Sequence, residues 1–129
     1  MKTPVSLFAV FLLFLSNCQP NQHQEGQRLY TKYCANCHMD GGEGLSALIP
    51  PLSGNDYLVK NKEKLPCILR YGLKDTIVVN GKMYAEEMPG VARLSDIHIT
   101  NILNYINNAW GDRQDYQLEE VQQLLDKCR

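Results

Sequence analysis

The sequence predicts an all-α domain, interrupted by one short β-hairpin and closed by an extra C-terminal helix. Three observations carry this expectation. Apolar residues recur at three- and four-residue spacing in three stretches: Gly26, Leu29, Tyr30 and Tyr33; Ile99, Ile102, Leu103 and Ile106; and Leu118, Val121, Leu124, Leu125 and Cys128. Glycines and prolines separate the periodic stretches and mark turns. A single Asn80-Gly81 pair stands between Thr76–Val79 and Lys82–Ala85, and such a pair between β-rich runs is the strongest short hairpin signal. The chain has 129 residues, room for one domain, and 44% of them are hydrophobic. Its formal net charge is −1, so nothing in it calls for nucleic acid or a strongly acidic partner.

The N-terminus reads as an export segment. Met1-Lys2 is positive, and an apolar run from Val5 to Leu15 follows. That run falls short of the roughly 20 residues that span a bilayer and has the shape of a signal-peptide core. Leu15-Ser16-Asn17-Cys18 comes next. It resembles the lipobox of bacterial lipoproteins, in which the cysteine becomes a lipid-bearing first residue, although Asn17 departs from the usual small residue. The expected division is a signal peptide over 1–17, a polar tether over 18–24 and a domain over 25–129. The resemblance implies a lipid on Cys18, holding the domain at a membrane surface.

The first helix is expected over Glu25–Ala35, and it runs into Cys34-Ala35-Asn36-Cys37-His38. This C-x-x-C-H pattern lets two thiols form thioethers with the vinyl groups of a haem, and the next histidine can bind the iron. A zinc knuckle would use the same residue types, but zinc needs four ligands, and no second C-x-x-C or spaced histidine pair follows. A thioredoxin-like redox pair would want a βαβ pattern, which is absent. Export strengthens the haem reading, because bacteria attach haem by thioethers outside the cytoplasm.

With Gly26 and Tyr30 at the helix-crossing positions, residues 25 to about 110 resemble a class I, single-haem c-type cytochrome. The resemblance implies a cytochrome c-like helical fold around one haem c, attached through Cys34 and Cys37 with His38 on the iron. Asp40–Gly44 breaks the helix and lets the chain wrap the haem edge. In the family, a proline carbonyl accepts a hydrogen bond from the other ring nitrogen of the haem histidine. Pro50 is the choice by position, Pro51 the alternative, and Leu52 would touch the haem face.

Asn55 is expected to cap a helix to Lys62. Pro66 suits the first turn of the next helix, which runs to Tyr71 and ends at Gly72. Arg70 is a candidate partner for a haem propionate, with a solvated surface arginine as the alternative. Glu87-Met88-Pro89-Gly90 then matches the family's sixth-ligand loop and makes Met88 the expected second axial ligand. Met39 adjoins His38 and cannot reach the opposite face. Met83 falls in the hairpin, His98 in a helical pattern and His23 in the tether.

Ser95-Asp96 is expected to cap a helix to about Ala109 that crosses the first one, with Tyr105 at the crossing and Gly111 as its stop. Residues 112–129 lie beyond the minimal cytochrome. With Cys18 assigned to lipid and Cys34 and Cys37 to haem, Cys67 and Cys128 are expected to form a disulfide in an oxidising compartment.

The resemblance implies an electron carrier rather than an enzyme, because methionine and histidine together fill both axial positions. Expected partners are a membrane reductase and an oxidase or other periplasmic redox enzyme. The alternative is an accessory haem subunit of a larger periplasmic redox enzyme. A gas sensor would need an open iron position.

Overall fold

A computed structural model describes residues 22–128. The expected signal peptide and the Cys18 lipid site lie outside the described residues. In chain order the helices are α1 (Gln22–Tyr33), α2 (Ala35–His38), α3 (Asp56–Lys60), α4 (Leu65–Tyr71), α5 (Asp96–Trp110) and α6 (Leu118–Asp126). A 3-10 turn over Lys62–Lys64 links α3 to α4. Four short strands complete the fold: β1 (Gly72–Leu73), β2 (Ile77–Val79), β3 (Lys82–Tyr84) and β4 (Met88–Pro89).

α1 and α5 cross at the base of the core. A Cβ on Gly26 would overlap the Asn101 carbonyl and come within 2.8 Å of Tyr105 Cβ, so the absent side chain is what permits the approach. Around the crossing, Tyr30 packs on Tyr105 and Trp110, with ring centroids 5.3 and 5.4 Å away. The apolar stripe of α5 is buried through Ile99, Ile102, Leu103 and Ile106, as its spacing predicts. Ser95 accepts from the His98 amide at the N-terminus of this helix.

The C-terminal segment is strapped back by polar pairs as well as by Val121 and Leu125. Asn104 of α5 accepts from the Tyr116 amide at 2.7 Å and donates to its carbonyl at 3.1 Å. The Tyr116 hydroxyl donates to the Lys62 carbonyl at 2.9 Å. A capping box of Gln117 and Glu120 then starts α6. Its far end is bonded to α4 by a Cys67–Cys128 disulfide, with Cα atoms 5.7 Å apart.

Three expectations change. About half of the described residues are helical, but all-α is too narrow a description, because β1 pairs with β4 in addition to the β2–β3 hairpin. The first helix already covers residues 22–24, ahead of the expected start at Glu25; nothing in Gln22-His23-Gln24 breaks a helix. It also does not run unbroken to Ala35: Cys34 leaves helical geometry and a new turn, α2, carries Cys37 and His38. The hairpin turn lies at Asn80-Gly81, both in left-handed conformations, which is the geometry that dipeptide favours.

Candidate functional site

α2 is too short to be stable alone; its neighbours hold it. The Cys34 amide donates to Tyr30 O at 2.8 Å, and the His38 amide to Cys34 O at 2.9 Å. Met39 turns the chain away with a positive φ, and its carbonyl accepts from the buried Tyr30 hydroxyl at 2.6 Å. The Gly44 amide closes the following loop onto His38 O at 3.1 Å.

This turn buries the His38 ring, whose Nδ1 lies 3.2 Å from the Pro50 carbonyl. With the proton on Nδ1 given to that carbonyl, Nε2 keeps its lone pair. Burial pushes the imidazole pKa down, against the opposing pull of the Pro50 hydrogen bond, so the neutral, ligating form is favoured. The Pro51 carbonyl is already taken by Asn55 Nδ2 at 2.6 Å. Of the two thiols, Cys34 is buried and Cys37 exposed. Burial, and secondarily the neighbouring Cys37, pushes the Cys34 thiol up to about 12.

Two adjoining cavities share His38, Pro50 and Met88 in their walls. The inner one is walled by Cys34, Leu52, Leu58, Leu69 and Leu103 among other apolar side chains. The outer one opens past Cys37, Leu48 and Tyr84. Met88 reaches this position because β1 pairs with β4, Leu73 opposite Met88 and Gly72 opposite Pro89. Gly72 makes the pairing possible: its φ is +86, and a Cβ there would strike the Met88 carbonyl. The Val91 amide extends the attachment to Leu69 O of α4 at 2.9 Å.

The structure therefore gathers Cys34, Cys37, His38, Pro50, Leu52 and Met88 around one apolar space. This donor set fits a haem: paired thiols, an oriented imidazole, a soft thioether and an inner space whose walls carry no Asp, Glu, Lys or Arg. It does not fit zinc, since no group of three or more His, Cys, Asp or Glu side chains among the described residues is placed to hold a metal ion. Met83 is 72% exposed on the outer side of the hairpin, and His23 and His98 line neither cavity.

Arg70 lines neither cavity; its Nη2 donates to Asp96 Oδ1 at 2.7 Å, where the N-terminus of α5 meets α4, and its Nε is buried without a protein partner. Sequence reasoning missed the β1–β4 pairing and Tyr84. The glycines at 72 and 90 were the available signal: a Cβ on Gly90 would overlap the backbone of Tyr71 and Gly72.

The family described as cytochrome C oxidase, cbb3-type, subunit III matches residues 21–106. A cytochrome c-552 of Thermus thermophilus is 36% identical over 113 residues, covering 80% of this chain and 86% of its own length. The cytochrome c subunit of a quinone alcohol dehydrogenase from Gluconacetobacter polyoxogenes is 34% identical over 92 residues, or 68% of this chain. The corresponding subunit of Gluconobacter oxydans is 32% identical over 95 residues, or 70% of this chain. Against each of these two subunits, the aligned region spans 19% of the relative's length.

Proposed function

The chain belongs to the cytochrome c family and is an electron-transfer protein with one haem c; we propose that Cys34 and Cys37 would attach the haem and that His38 and Met88 would ligate its iron. Haem c supplies a one-electron iron couple. The Pro50 carbonyl fixes the His38 ring and raises its basicity. The Met88 thioether favours the reduced state. Leu52, Leu69 and Leu103 exclude water from the inner space. Because backbone bonds hold both ligands in place, a change of oxidation state needs little rearrangement. The protein is then a carrier rather than an enzyme in its own right. The observation that carries this reading is that His38 and Met88 wall the same cavities.

A carrier of this kind exchanges electrons with a membrane reductase and an oxidase or periplasmic reductase. The cytochrome c subunits of quinone alcohol dehydrogenase among its relatives favour a second reading, an accessory haem subunit of a larger redox enzyme. Stoichiometric co-purification with a dehydrogenase chain would select the second reading. The export segment over 1–17 and Cys18 support a periplasmic lipoprotein, and no helix among the described residues is long and apolar enough to cross a membrane. Mass analysis of the mature N-terminus checks the lipid.

The function is tested on protein produced with haem-maturation machinery. A pyridine haemochrome spectrum should show one covalent haem per chain, and a redox titration should show a single one-electron wave. A matured sample without a haem band would overturn the reading.

A further inference from the structure

The Cys67–Cys128 disulfide lies in the wall of an open surface groove of about 750 Å³, and neither cysteine is fully buried. The same groove is lined by Tyr71, Gly72 and Leu73, the end of α4 and the strand on which Met88 is paired. Lys64 and Lys127 in it are matched by Glu63 and Asp75, so its charge turns away reagents of neither sign.

The helix that carries Cys67 also supports the methionine side. α4 has seven residues, too few to hold a helical shape alone. Its Leu69 carbonyl accepts from the Val91 amide at 2.9 Å, and β1 follows it directly to pair with β4. Two strands of two residues each need such outside support to persist. Besides its buried Pro66 and Leu69, two ties hold α4 to its neighbours. The Arg70–Asp96 pair is partly exposed, and pairs of that kind contribute little. The disulfide is the stronger tie, because it closes a loop with a sequence separation of 61.

Resting on the haem reading, we propose that Cys67–Cys128 is a thiol-exchange site for a dithiol reductant, and that opening it loosens Met88 from the iron. One thiolate of the dithiol attacks a cysteine sulfur, the S–S bond breaks and the other cysteine leaves as a thiolate. The second thiol of the reagent then displaces the mixed disulfide. The chain gains two electrons and two protons, and the dithiol becomes a disulfide. Thioethers at Cys34 and Cys37 contain no S–S bond, so the same reagent leaves the haem attached. α6 stays on the core through Val121, Leu125 and the Asn104–Tyr116 bonds, so the helices persist while α4 and the β1–β4 pair gain freedom. Room then opens on the Met88 side for an external ligand, and a carrier becomes a ligand-binding protein when dithiols are plentiful.

The test uses matured protein without denaturant, held ferrous by ascorbate in every sample so that only the disulfide differs. After dithiothreitol and then iodoacetamide, mass spectrometry should find alkylated Cys67 and Cys128. Helicity in the far-ultraviolet should be retained. The rate of carbon monoxide binding should rise about threefold or more, which needs only a small part of the disulfide's contribution to reach the methionine. Reoxidation with glutathione disulfide should restore the slow rate. Cys67→Ser with Cys128→Ser should bind carbon monoxide at the faster rate from the start and ignore dithiothreitol; should that variant not fold, the chemical reduction carries the test alone. Thiols that appear only in denaturant would overturn the proposal. So would full reduction with an unchanged carbon monoxide rate, or a faster rate accompanied by loss of helicity. Failure here leaves the haem spectrum and redox wave of the disulfide-bonded protein intact, which separates it from failure of the carrier reading.

Discussion

His38 and Met88 face the same cavity from supports of different kinds. His38 stands on a turn held by near neighbours in the chain: Tyr30, Cys34, Met39, Gly44 and Pro50 each contribute a hydrogen bond to that region. Met88 stands on a strand of two residues whose partner, β1, is delivered by α4. α4 in turn is anchored by the disulfide to α6 and by the Arg70–Asp96 pair to α5. One of the two proposed ligands is fixed locally and the other through a chain of tertiary contacts. Damage to the fold should therefore reach the methionine side first.

The largest effect should come from removing the ligands themselves. His38→Ala should cost nearly all correctly assembled holoprotein, measured as the yield of covalent haem. Met88→Ala should keep covalent haem and most helicity, lose the methionine–ferric iron charge-transfer band and bind carbon monoxide rapidly in the reduced state. Equal collapse of both variants would erase the distinction between the two sides.

Next is the disulfide. Replacing Cys67 and Cys128 by serine frees a loop with a sequence separation of 61, worth roughly 4 kcal/mol in the chain-entropy model. Denaturant melts should show that loss, and the methionine band should disappear at lower denaturant than the helical signal. A matched pair of glycine variants makes the comparison more specific. Gly72→Ala forces an L-residue to a φ of +86 against Met88, at a cost of about 1–3 kcal/mol. Gly26→Ala overpacks the α1–α5 crossing at a similar cost of about 1–3 kcal/mol. In thermal melts the first should uncouple the methionine band from unfolding, and the second should lower both together.

The smallest effect is a pH dependence at the hairpin. Asp56 accepts from Lys60 Nζ and from the Asn80 amide, each at 2.7 Å, tying α3 to the hairpin turn. Its carboxyl is held below the usual range, first by the Lys60 hydrogen bond and then by the Asn80 amide. The folded group thus titrates lower than the unfolded one. Its contribution is complete above the unfolded range and fades as pH falls through the folded one. Asp56→Asn should flatten the acid limb of melting temperature against pH slightly and leave neutral pH nearly unchanged apart from the lost pair.

The same contrast explains what the sequence could reveal. The C-x-x-C-H motif, the caps at Asn55 and Ser95 and the Asn80-Gly81 turn are local devices, so their residues state their geometry directly. β1 and β4 have two residues each, too few for an alternating pattern, and their partnership spans the hairpin between them. Arg70 shows the same limit. A guanidinium pairs with whatever carboxylate the fold delivers, and only the packing of α5 on α4 brings Asp96 to it before any other.

The proton NMR spectrum of the reduced, matured protein tests the central assignment most directly, because ring current shifts an iron-bound methionine methyl far upfield. That resonance should be present in the unsubstituted protein and in Met83→Leu, and absent in Met88→Leu. Its survival in Met88→Leu, or its absence from the unsubstituted protein, would contradict His38/Met88 ligation.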